Sequence, residues 1–249
     1  RNKIIKDLEK FIFNDISNRI LSSLHGINLS LTNCLEIGIS NLTTYTNIYN
    51  QFKEIEYTAI DISKKILETL PTKIEKIYMD HDSWNFTKKF DLILSGYYIH
   101  LTNNFDDLLR NINNSLKDEG FFISIIPSPN SFHELKSCMI EADISMYGGA
   151  YKRFNESFSV NYINTLLKKN NFKKIVIEVD TITLQYEKFY SLLKDIRFLG
   201  NSNIYYDRKK NFEKKNYFNK VEDIYWKKYS NDKKLILQLE IICMSGWKK

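Results

Sequence analysis

The chain has few of the residues that break or cross-link a fold. It contains only eight glycines, three prolines and three cysteines in 249 residues, while hydrophobic residues make up 43%. This composition argues against a disordered or loop-rich scaffold, and the length is sufficient to bury a full core. Cys34, Cys138 and Cys243 are odd in number and far apart. We therefore expect reduced core thiols in a cytosol-like compartment.

Long apolar runs and metal-binding patterns are also missing. No run approaches the ~18 apolar residues that a spanning helix needs, so we expect no transmembrane segment. There is no Cys-x-x-Cys pair and no Cys/His cluster, and the sequence predicts no metal site. The first residue is Arg1 and not Met, which leaves a removed leader segment open as an alternative.

The charge is only weakly biased towards one sign. The net charge is +6. Residues 205–234 include ten basic and five acidic residues, so most of the positive excess lies in this segment. A basic face can contact nucleic acid, a membrane surface or an acidic protein, although an ordinary solvated helix accounts for it more simply. No basic strand interleaved with aromatics and no recognition helix is found, so we expect no nucleic acid partner.

Apolar periodicity predicts strands and helices that alternate along the chain. The predicted strands are 34–39, 56–62, 73–79, 90–96, 120–126, 174–180 and 235–244. The predicted helices are 4–24, 41–53, 63–70, 104–117, 130–143, 158–170, 186–199 and 212–229. The early strands are short and almost continuously apolar, as buried parallel strands are. We predict an α/β fold with a doubly wound sheet and right-handed crossovers.

No stretch rich in Pro, Gly or Ser separates parts of the chain. We therefore predict one domain over residues 1–249. Within it we expect an N-terminal helix at 1–25, a cofactor-binding core at 26–127, and a substrate or lid region with the closing strands at 128–249.

The first strand–helix–strand unit gives the strongest functional signal. Cys34–Ser40 has the pattern of a strand that ends in Glu36 and Gly38, and Asp61 ends the next strand 23 positions after Gly38. Such a unit places a nucleotide-type cofactor at the turn, with the Asp61 carboxylate accepting two ribose hydroxyls. Taken singly, the glycine is also an ordinary turn residue and the aspartate an ordinary helix cap.

Further candidate residues follow at the carboxyl ends of the strands, where such sheets bind ligands. The candidate cofactor-binding residues are Glu36, Gly38, Ser40, Asp61, Ile62, Asp80, His81, Ser95 and Gly96. His100 is a candidate acid or base for catalysis, or a buried structural histidine. Arg153, which follows the Gly148–Gly149 pair, is a candidate catalytic residue that binds substrate from a mobile lid, or part of a surface loop.

Several segments together resemble the class I S-adenosylmethionine (SAM) dependent methyltransferases. They are Cys34–Gly38, Asp61, Phe90–Ser95, His100 and Leu116–Ile123. Later segments are similar to the branch of biotin-synthesis malonyl-acyl-carrier-protein methyltransferases, and more closely to the methyltransferase-fold assembly factor of respiratory complex I and its bacterial relatives. These segments are Ser131–Lys136, Gly148–Gly149 with Arg153–Phe154, Leu192–Asn203 and Glu240–Trp247.

The resemblance implies a Rossmann-like methyltransferase fold, with seven strands and an antiparallel last strand. It implies SAM as cofactor and methyl transfer to a protein or acyl-carrier substrate. One alternative is a respiratory complex I assembly factor that hydroxylates an arginine of a complex I subunit. Another is a non-catalytic binding module that docks through residues 205–234. The implied location is the bacterial cytoplasm, or the mitochondrial matrix in a eukaryote.

The glycine-rich loop departs from the family pattern. Where the family has three nearby glycines, this chain has Gly38 followed by Ser40 and Leu42. The second glycine normally lets the backbone approach the cofactor, and the third allows close packing of helix on strand. We expect the small Ser40 to be tolerated and the bulky Leu42 to hinder cofactor binding.

Overall fold

A computed structural model describes residues 8–25, 27, 31–39, 42–84, 86–155, 157–200 and 213–249. The strands in this part of the chain are β1 (Asn33–Ile37), β2 (Glu56–Asp61), β3 (Glu75–Tyr78), β4 (Phe90–Gly96), β5 (Leu116–Pro127), β6 (Lys173–Tyr186), β7 (Ser230–Asn231) and β8 (Lys234–Trp247). The helices are α1 (Leu8–Leu24), α2 (Thr43–Gln51), α3 (Lys64–Thr69), α4 (Phe105–Ser115), α5 (His133–Tyr147), α6 (Val160–Lys169), α7 (Phe189–Phe198) and α8 (Tyr217–Lys228). Short 3₁₀ turns occupy His81–Ser83 and Ile99–Leu101.

The strands form one sheet in the order β3-β2-β1-β4-β5-β8-β6, with β7 paired to β8. The pairs β1–β2, β1–β4, β2–β3 and β4–β5 are parallel, and the last strands run antiparallel. This arrangement confirms the predicted α/β fold class. The sheet has eight strands and not seven, because the two-residue β7 forms a hairpin with β8. A strand of two exposed residues leaves no periodicity in a sequence.

Contacts divide the chain into two compact units. The larger unit consists of Lys10–Pro127, Phe158–Val179 and Ile242–Lys249, and the smaller of Arg1–Glu9, Ser128–Ser157 and Asp180–Ile241. The single domain and its internal boundaries stay predictions. Among the described residues, none of the helices combines the length and hydrophobicity that a bilayer crossing requires. All three cysteines are free thiols, and Cys34 and Cys138 are buried.

The larger unit has its apolar core on both sides of β1 and β4. Leu35 and Ile37 of β1 and Ile93 of β4 are fully buried and pack with apolar residues of α4 and α6. In the pairing, Glu36 of β1 lies opposite Ala59 of β2 on one side and Leu94 of β4 on the other. The carboxyl ends of these three strands therefore meet at one edge of the sheet.

In the smaller unit, α8 packs on α5. The Tyr217 hydroxyl of α8 donates to the carbonyl oxygen of Met139 in α5 at 3.3 Å. The Tyr225 hydroxyl donates to the carbonyl oxygen of Ile236 at 2.7 Å, which ties α8 to β8. Aromatic rings thus provide both the apolar surface and the polar anchors of this unit.

At the opposite edge of the larger unit, Asp91 joins the starts of three strands. Its Oδ2 accepts the backbone N–H of Thr32 (2.8 Å) and of Asn33 (3.0 Å), and its Oδ1 pairs with Lys117 Nζ at 2.9 Å. Burial alone would raise the pKa of Asp91, but the bonds from Lys117 and Thr32 bring that pKa below its usual value. The carboxylate therefore stabilises the fold in its charged form.

We expect Asp91→Ala to lower the free energy of unfolding at pH 7 by about 2–3 kcal/mol, because several hydrogen bonds to a charged group are lost. The stabilisation by a carboxylate with a depressed pKa is present above its unfolded pKa of about 3.9 and is lost as the pH falls through the folded pKa. Urea unfolding at pH 7 and in acid measures both effects. Asp118→Ala, at an exposed aspartate of β5, is the control, and equal stability of the two variants would contradict the assignment.

Candidate cofactor site

Asp61 closes the turn that follows β1. Its Oδ2 accepts the N–H of Ile39 at 3.1 Å, and its Oδ1 accepts the N–H of Ser63 at 2.7 Å. The residue is only 3% exposed, and burial raises its pKa, against the opposing effect of these two backbone bonds. A carboxylate has about four acceptor positions, so two remain for the hydroxyls of a ligand.

Gly38 adopts a conformation that glycine adopts readily. Its φ of +73° lies in the left-handed region, and its N–H donates to the carbonyl oxygen of Ile60 at 2.8 Å. A Cβ at this position would lie 2.0 Å from Cγ of Tyr98 and 2.4 Å from both of its Cδ atoms. The glycine therefore leaves room for an aromatic ring directly against the backbone.

Tyr98 brings its ring into the middle of the candidate cofactor residues. The ring meets His81 edge to face, with 5.1 Å between centroids, and its hydroxyl lies near the backbone of Ile62. Burial and the nearby Asp61 carboxylate raise the pKa of Tyr98 to about 12. The sequence analysis did not single out this residue. Two tyrosines after a buried strand are a visible signal, but core aromatics give the same pattern.

Leu42 is the N-terminal flanking residue of α2 and is 39% exposed. The side chain that lies against Gly38 is the Tyr98 ring. The expected hindrance of a cofactor by Leu42 stays a prediction. Ser40 lies outside the described residues.

Glu36 is buried beside this turn and bonded to Tyr57. The Tyr57 hydroxyl donates to Glu36 Oε2 at 2.6 Å, and Glu36 is 1% exposed. Burial raises the pKa of Glu36 to about 8, because desolvation outweighs the opposing bond from Tyr57. The Glu36 side chain therefore keeps its proton near neutral pH and contributes little negative charge to the site.

We expect Glu36→Gln to remove a pH dependence of stability. The folded state holds the proton up to about pH 8, whereas the unfolded chain releases it near pH 4.3. The free energy of unfolding of the wild type should therefore fall between these values as the pH rises, by up to about 1.4 kcal/mol per pH unit. Urea unfolding at pH 5, 6.5 and 8 measures the slope. The slope of the variant should be flatter, while Glu54→Gln, at an exposed glutamate, should behave as the wild type.

The segment Asp80–Asp82 forms the 3₁₀ turn after β3. Asp80 caps this turn by accepting the N–H of Asp82 at 3.0 Å, and Asp82 accepts from Thr102 and Asn103. His81 is 6% exposed, and burial lowers its pKa. Of the predicted cofactor residues, His81 packs on the Tyr98 ring and Asp80 directly precedes His81, at the end of β3.

Ligand atoms of Asp80, His81 and Asp82 lie within 4.8 Å of one another, a grouping that could hold a metal ion. However, Nδ1 of His81 faces Asp80 at 3.7 Å, while Nε2 faces Asp82 at 3.8 Å. An ion on either ring nitrogen would meet a different carboxylate. Asp82 is also already engaged by two neighbours, so the turn is poorly arranged as a cage for one ion.

His100 is buried in the larger unit. It is 5% exposed, and neither ring nitrogen has a hydrogen-bond partner among the described residues. Burial lowers its pKa to about 3, so the imidazole is neutral and a weak base. The ring packs against the Tyr97 ring, with 5.0 Å between centroids, and the described residues do not supply the hydrogen bond expected of a structural histidine. A catalytic role stays a prediction.

Ser95 and Gly96 are used by the packing of β4. The Ser95 hydroxyl donates to the carbonyl oxygen of Ile37 at 2.8 Å, which joins β4 to β1. A Cβ on Gly96 would lie 3.3 Å from Cγ2 of Ile16, so the glycine permits close approach of α1. These contacts account for both residues without a ligand, and their cofactor role stays a prediction.

Arg153 lies in the smaller unit, where it is held by two carboxylates. Its Nε donates to Asp143 Oδ2 and its Nη1 to Glu213 Oε1, each at 2.8 Å, and the guanidinium lies 4.4 Å from the centroid of the Tyr217 ring. Burial would lower its pKa, but these bonds raise it above the usual value. The side chain is thus held within its own unit by ion pairs, and its predicted role in substrate binding stays a prediction.

The basic segment 205–234 is described only from residue 213 onwards. Within it, Lys228 pairs with Glu141, and Lys214 Nζ lies 4.7 Å from the centroid of the Tyr147 ring. These basic side chains therefore contact the smaller unit itself. The proposed docking role of the segment stays a prediction.

Comparison with known proteins agrees with this geometry. Residues 35–122 match a family model described as a methyltransferase domain. A mitochondrial arginine-hydroxylase, NDUFAF5 of Dictyostelium discoideum, is 23% identical over 265 residues, which cover 95% of this chain but 59% of that protein. A malonyl-[acyl-carrier protein] O-methyltransferase of Legionella pneumophila is 21% identical and covers 94% of this chain and 83% of that protein.

Solved structures share the fold. The YcgJ protein of Bacillus subtilis superposes with a TM-score of 0.62 at 11% identity, over 94% of this chain and 98% of that one. The plantazolicin methyltransferase BpumL, solved in complex with S-adenosylhomocysteine (SAH), gives a TM-score of 0.53 at 14% identity, over 98% of this chain and 87% of that one. The resemblance predicted from the sequence is confirmed.

Proposed function

We propose that this chain, a relative of the class I SAM-dependent methyltransferases with their fold, binds SAM and transfers its methyl group to a protein or carrier-bound substrate. The observation that carries the proposal is Asp61. It ends β2 beside the left-handed Gly38, at the edge where β1, β2 and β4 end together, and among the described residues only Ile39 and Ser63 donate to it.

The residues around Asp61 suit the parts of this cofactor. The Asp61 carboxylate can accept the two ribose hydroxyls. Ile62, with 53% of its surface exposed, offers an apolar side chain to an adenine ring, and the Asp80 carboxylate can accept from its amino group. Gly38 has no Cβ, so a ligand can reach its backbone once the neighbouring ring is displaced.

Bound SAM would supply a methyl group carried on a positively charged sulfur, and this sulfur would leave with SAH when a nucleophile of the acceptor bonds to the methyl carbon. The chain has to hold the two reactants in line and exclude water, and needs neither a strong acid nor a strong base. This requirement matches the neutral, buried His100. The proposed role of the larger unit is therefore to bind SAM and to orient it towards the acceptor.

The acceptor class is inferred from the relatives. One is named as an arginine hydroxylase of mitochondria and another acts on malonyl-acyl-carrier protein. We therefore propose a protein side chain or a carrier-bound acyl group as acceptor, with a subunit of respiratory complex I as the finer candidate. The cytoplasm of a bacterium, or the mitochondrial matrix, is the location that fits these substrates.

The first test is calorimetric titration of SAH into the purified chain. We expect Asp61→Ala to weaken binding at least ~100-fold, because two hydrogen bonds to a charged group are each worth about 1.5–3 kcal/mol. Asp61→Asn keeps the size of the side chain but can accept only one of the two N–H groups of the turn, and it should show most of this loss. Glu56→Ala, at the opposite end of β2, should bind as the wild type. Equal affinity in a folded Asp61 variant would refute the proposal. A lack of binding by both the wild type and every folded variant with an opened site would refute it too, and would favour a non-catalytic binding module.

Hydroxylation is the second candidate, and the match to the arginine hydroxylase over 95% of this chain favours it. Hydroxylation normally requires a metal or redox cofactor, and the Asp80–Asp82 turn is poorly arranged for one ion. We therefore place methyl transfer first.

The two reactions are separated by the mass of the product. A candidate acceptor incubated with the chain and SAM should gain one methylene per site in mass spectrometry, and the gain should persist with a metal chelator present. Asp61→Asn is the matched control and should give no product. A gain of one oxygen atom, lost with the chelator or in His100→Ala, would replace methyl transfer by hydroxylation.

A further inference from the structure

We infer that Tyr98 is the gate of the cofactor site: in the ligand-free chain its ring occupies the space against Gly38, and a cofactor enters only when this ring turns away. The inference rests on the proposed function, since it concerns the same pocket. It adds a residue that regulates access to the pocket.

The first step is the space itself. A Cβ built on Gly38 would come within 2.0–2.4 Å of three ring atoms of Tyr98, so the ring lies directly against Cα of Gly38 on that side. A ligand atom cannot share that volume with the ring. The side chain and a cofactor that approaches this backbone therefore exclude each other.

The second step is the set of groups that the ring uses. Tyr98 contacts His81 through its ring and Ile62 through its hydroxyl, and lies close enough to Asp61 to feel its charge. With Gly38, these are four of the residues that the sequence assigns to the cofactor. The Tyr98 side chain thus lies against candidate cofactor-binding residues, in the place that a ligand would take.

The third step is that the side chain can move while its backbone stays in place. The N–H of Tyr97 donates to the carbonyl oxygen of Ile125 at 2.8 Å, and the carbonyl oxygen of Tyr98 accepts the N–H of Leu101 at 3.1 Å. Both sides of the segment are anchored to the sheet and the 3₁₀ turn. Tyr97 holds a φ of +64°, an uncommon conformation for tyrosine that directs the next side chain towards Gly38. Opening therefore needs only rotation of the Tyr98 side chain, which is itself only partly buried.

A gate of this kind reduces the apparent affinity by the fraction of time that the pocket is open. Removing the ring should remove this reduction. We therefore expect Tyr98→Ala to bind SAH at least ~10-fold more tightly than the wild type in calorimetry. Tyr98→Phe keeps the ring but loses the hydroxyl, and should fall between the two. Tyr162→Ala removes an exposed tyrosine of α6 that contacts Phe158 and should match the wild type.

The outcomes separate the gate from the proposed function. If the wild type binds SAH and a folded Tyr98→Ala variant binds it equally or more weakly, the gate is wrong and the cofactor site stands. If neither the wild type nor any folded Tyr98 variant binds, the proposed function fails and the gate with it. Binding by Tyr98→Ala alone supports both, with a gate that is closed nearly all the time.

A second measurement leaves the side chain intact, in case Tyr98→Ala does not fold. With 3-fluorotyrosine incorporated at position 98, the fluorine resonance reports the surroundings of this one ring. We expect saturating SAH to shift it towards the value of a solvent-exposed tyrosine. An unchanged resonance with SAH bound would overturn the gate.

Discussion

The organisation of the candidate site depends on one carboxylate, that of Asp61. By accepting the N–H groups of Ile39 and Ser63, it fixes the turn after β1 to the end of β2. The turn in its present shape gives Gly38 its left-handed conformation, and that conformation makes room for a ring or a ligand. The same group is thus a structural bond of the ligand-free chain and the proposed ribose acceptor. Such double use explains why a buried acid is tolerated at this edge of the sheet.

Much of the fold could be predicted from the sequence because it rests on local patterns. Strand β4 occupies 90–96, as predicted, since all of its residues except Asp91 are apolar or small and are buried. Helix α4 begins one residue later than predicted, where Asn104 caps it by accepting the N–H of Asp107. Strand β5 begins at Leu116 and not at 120, because the turn-like sequence Lys117–Gly120 follows a first pairing of Leu116 with Phe90 and a shift in register.

The site could be predicted only in part, because its decisive contacts join residues distant in sequence. Asp61 and Gly38 were found from their spacing within one structural unit. The packing of Tyr98 on Gly38 joins positions 60 residues apart, and no periodicity indicates which of the two adjacent tyrosines packs on this glycine. Likewise, the pairing of Arg153 with Asp143 and Glu213 depends on how the smaller unit folds, so no local pattern in the sequence predicts these partners.

The contact between Gly38 and Tyr98 also restricts how this protein can change during evolution. A side chain larger than hydrogen at position 38 collides with the ring at position 98, so the side chains at these two positions compete for the same space. A smaller residue at position 98 would remove the collision but not the left-handed φ of +73°, which strains any other side chain at position 38. Divergent copies of this chain should therefore keep glycine at position 38 while the residue at position 98 varies.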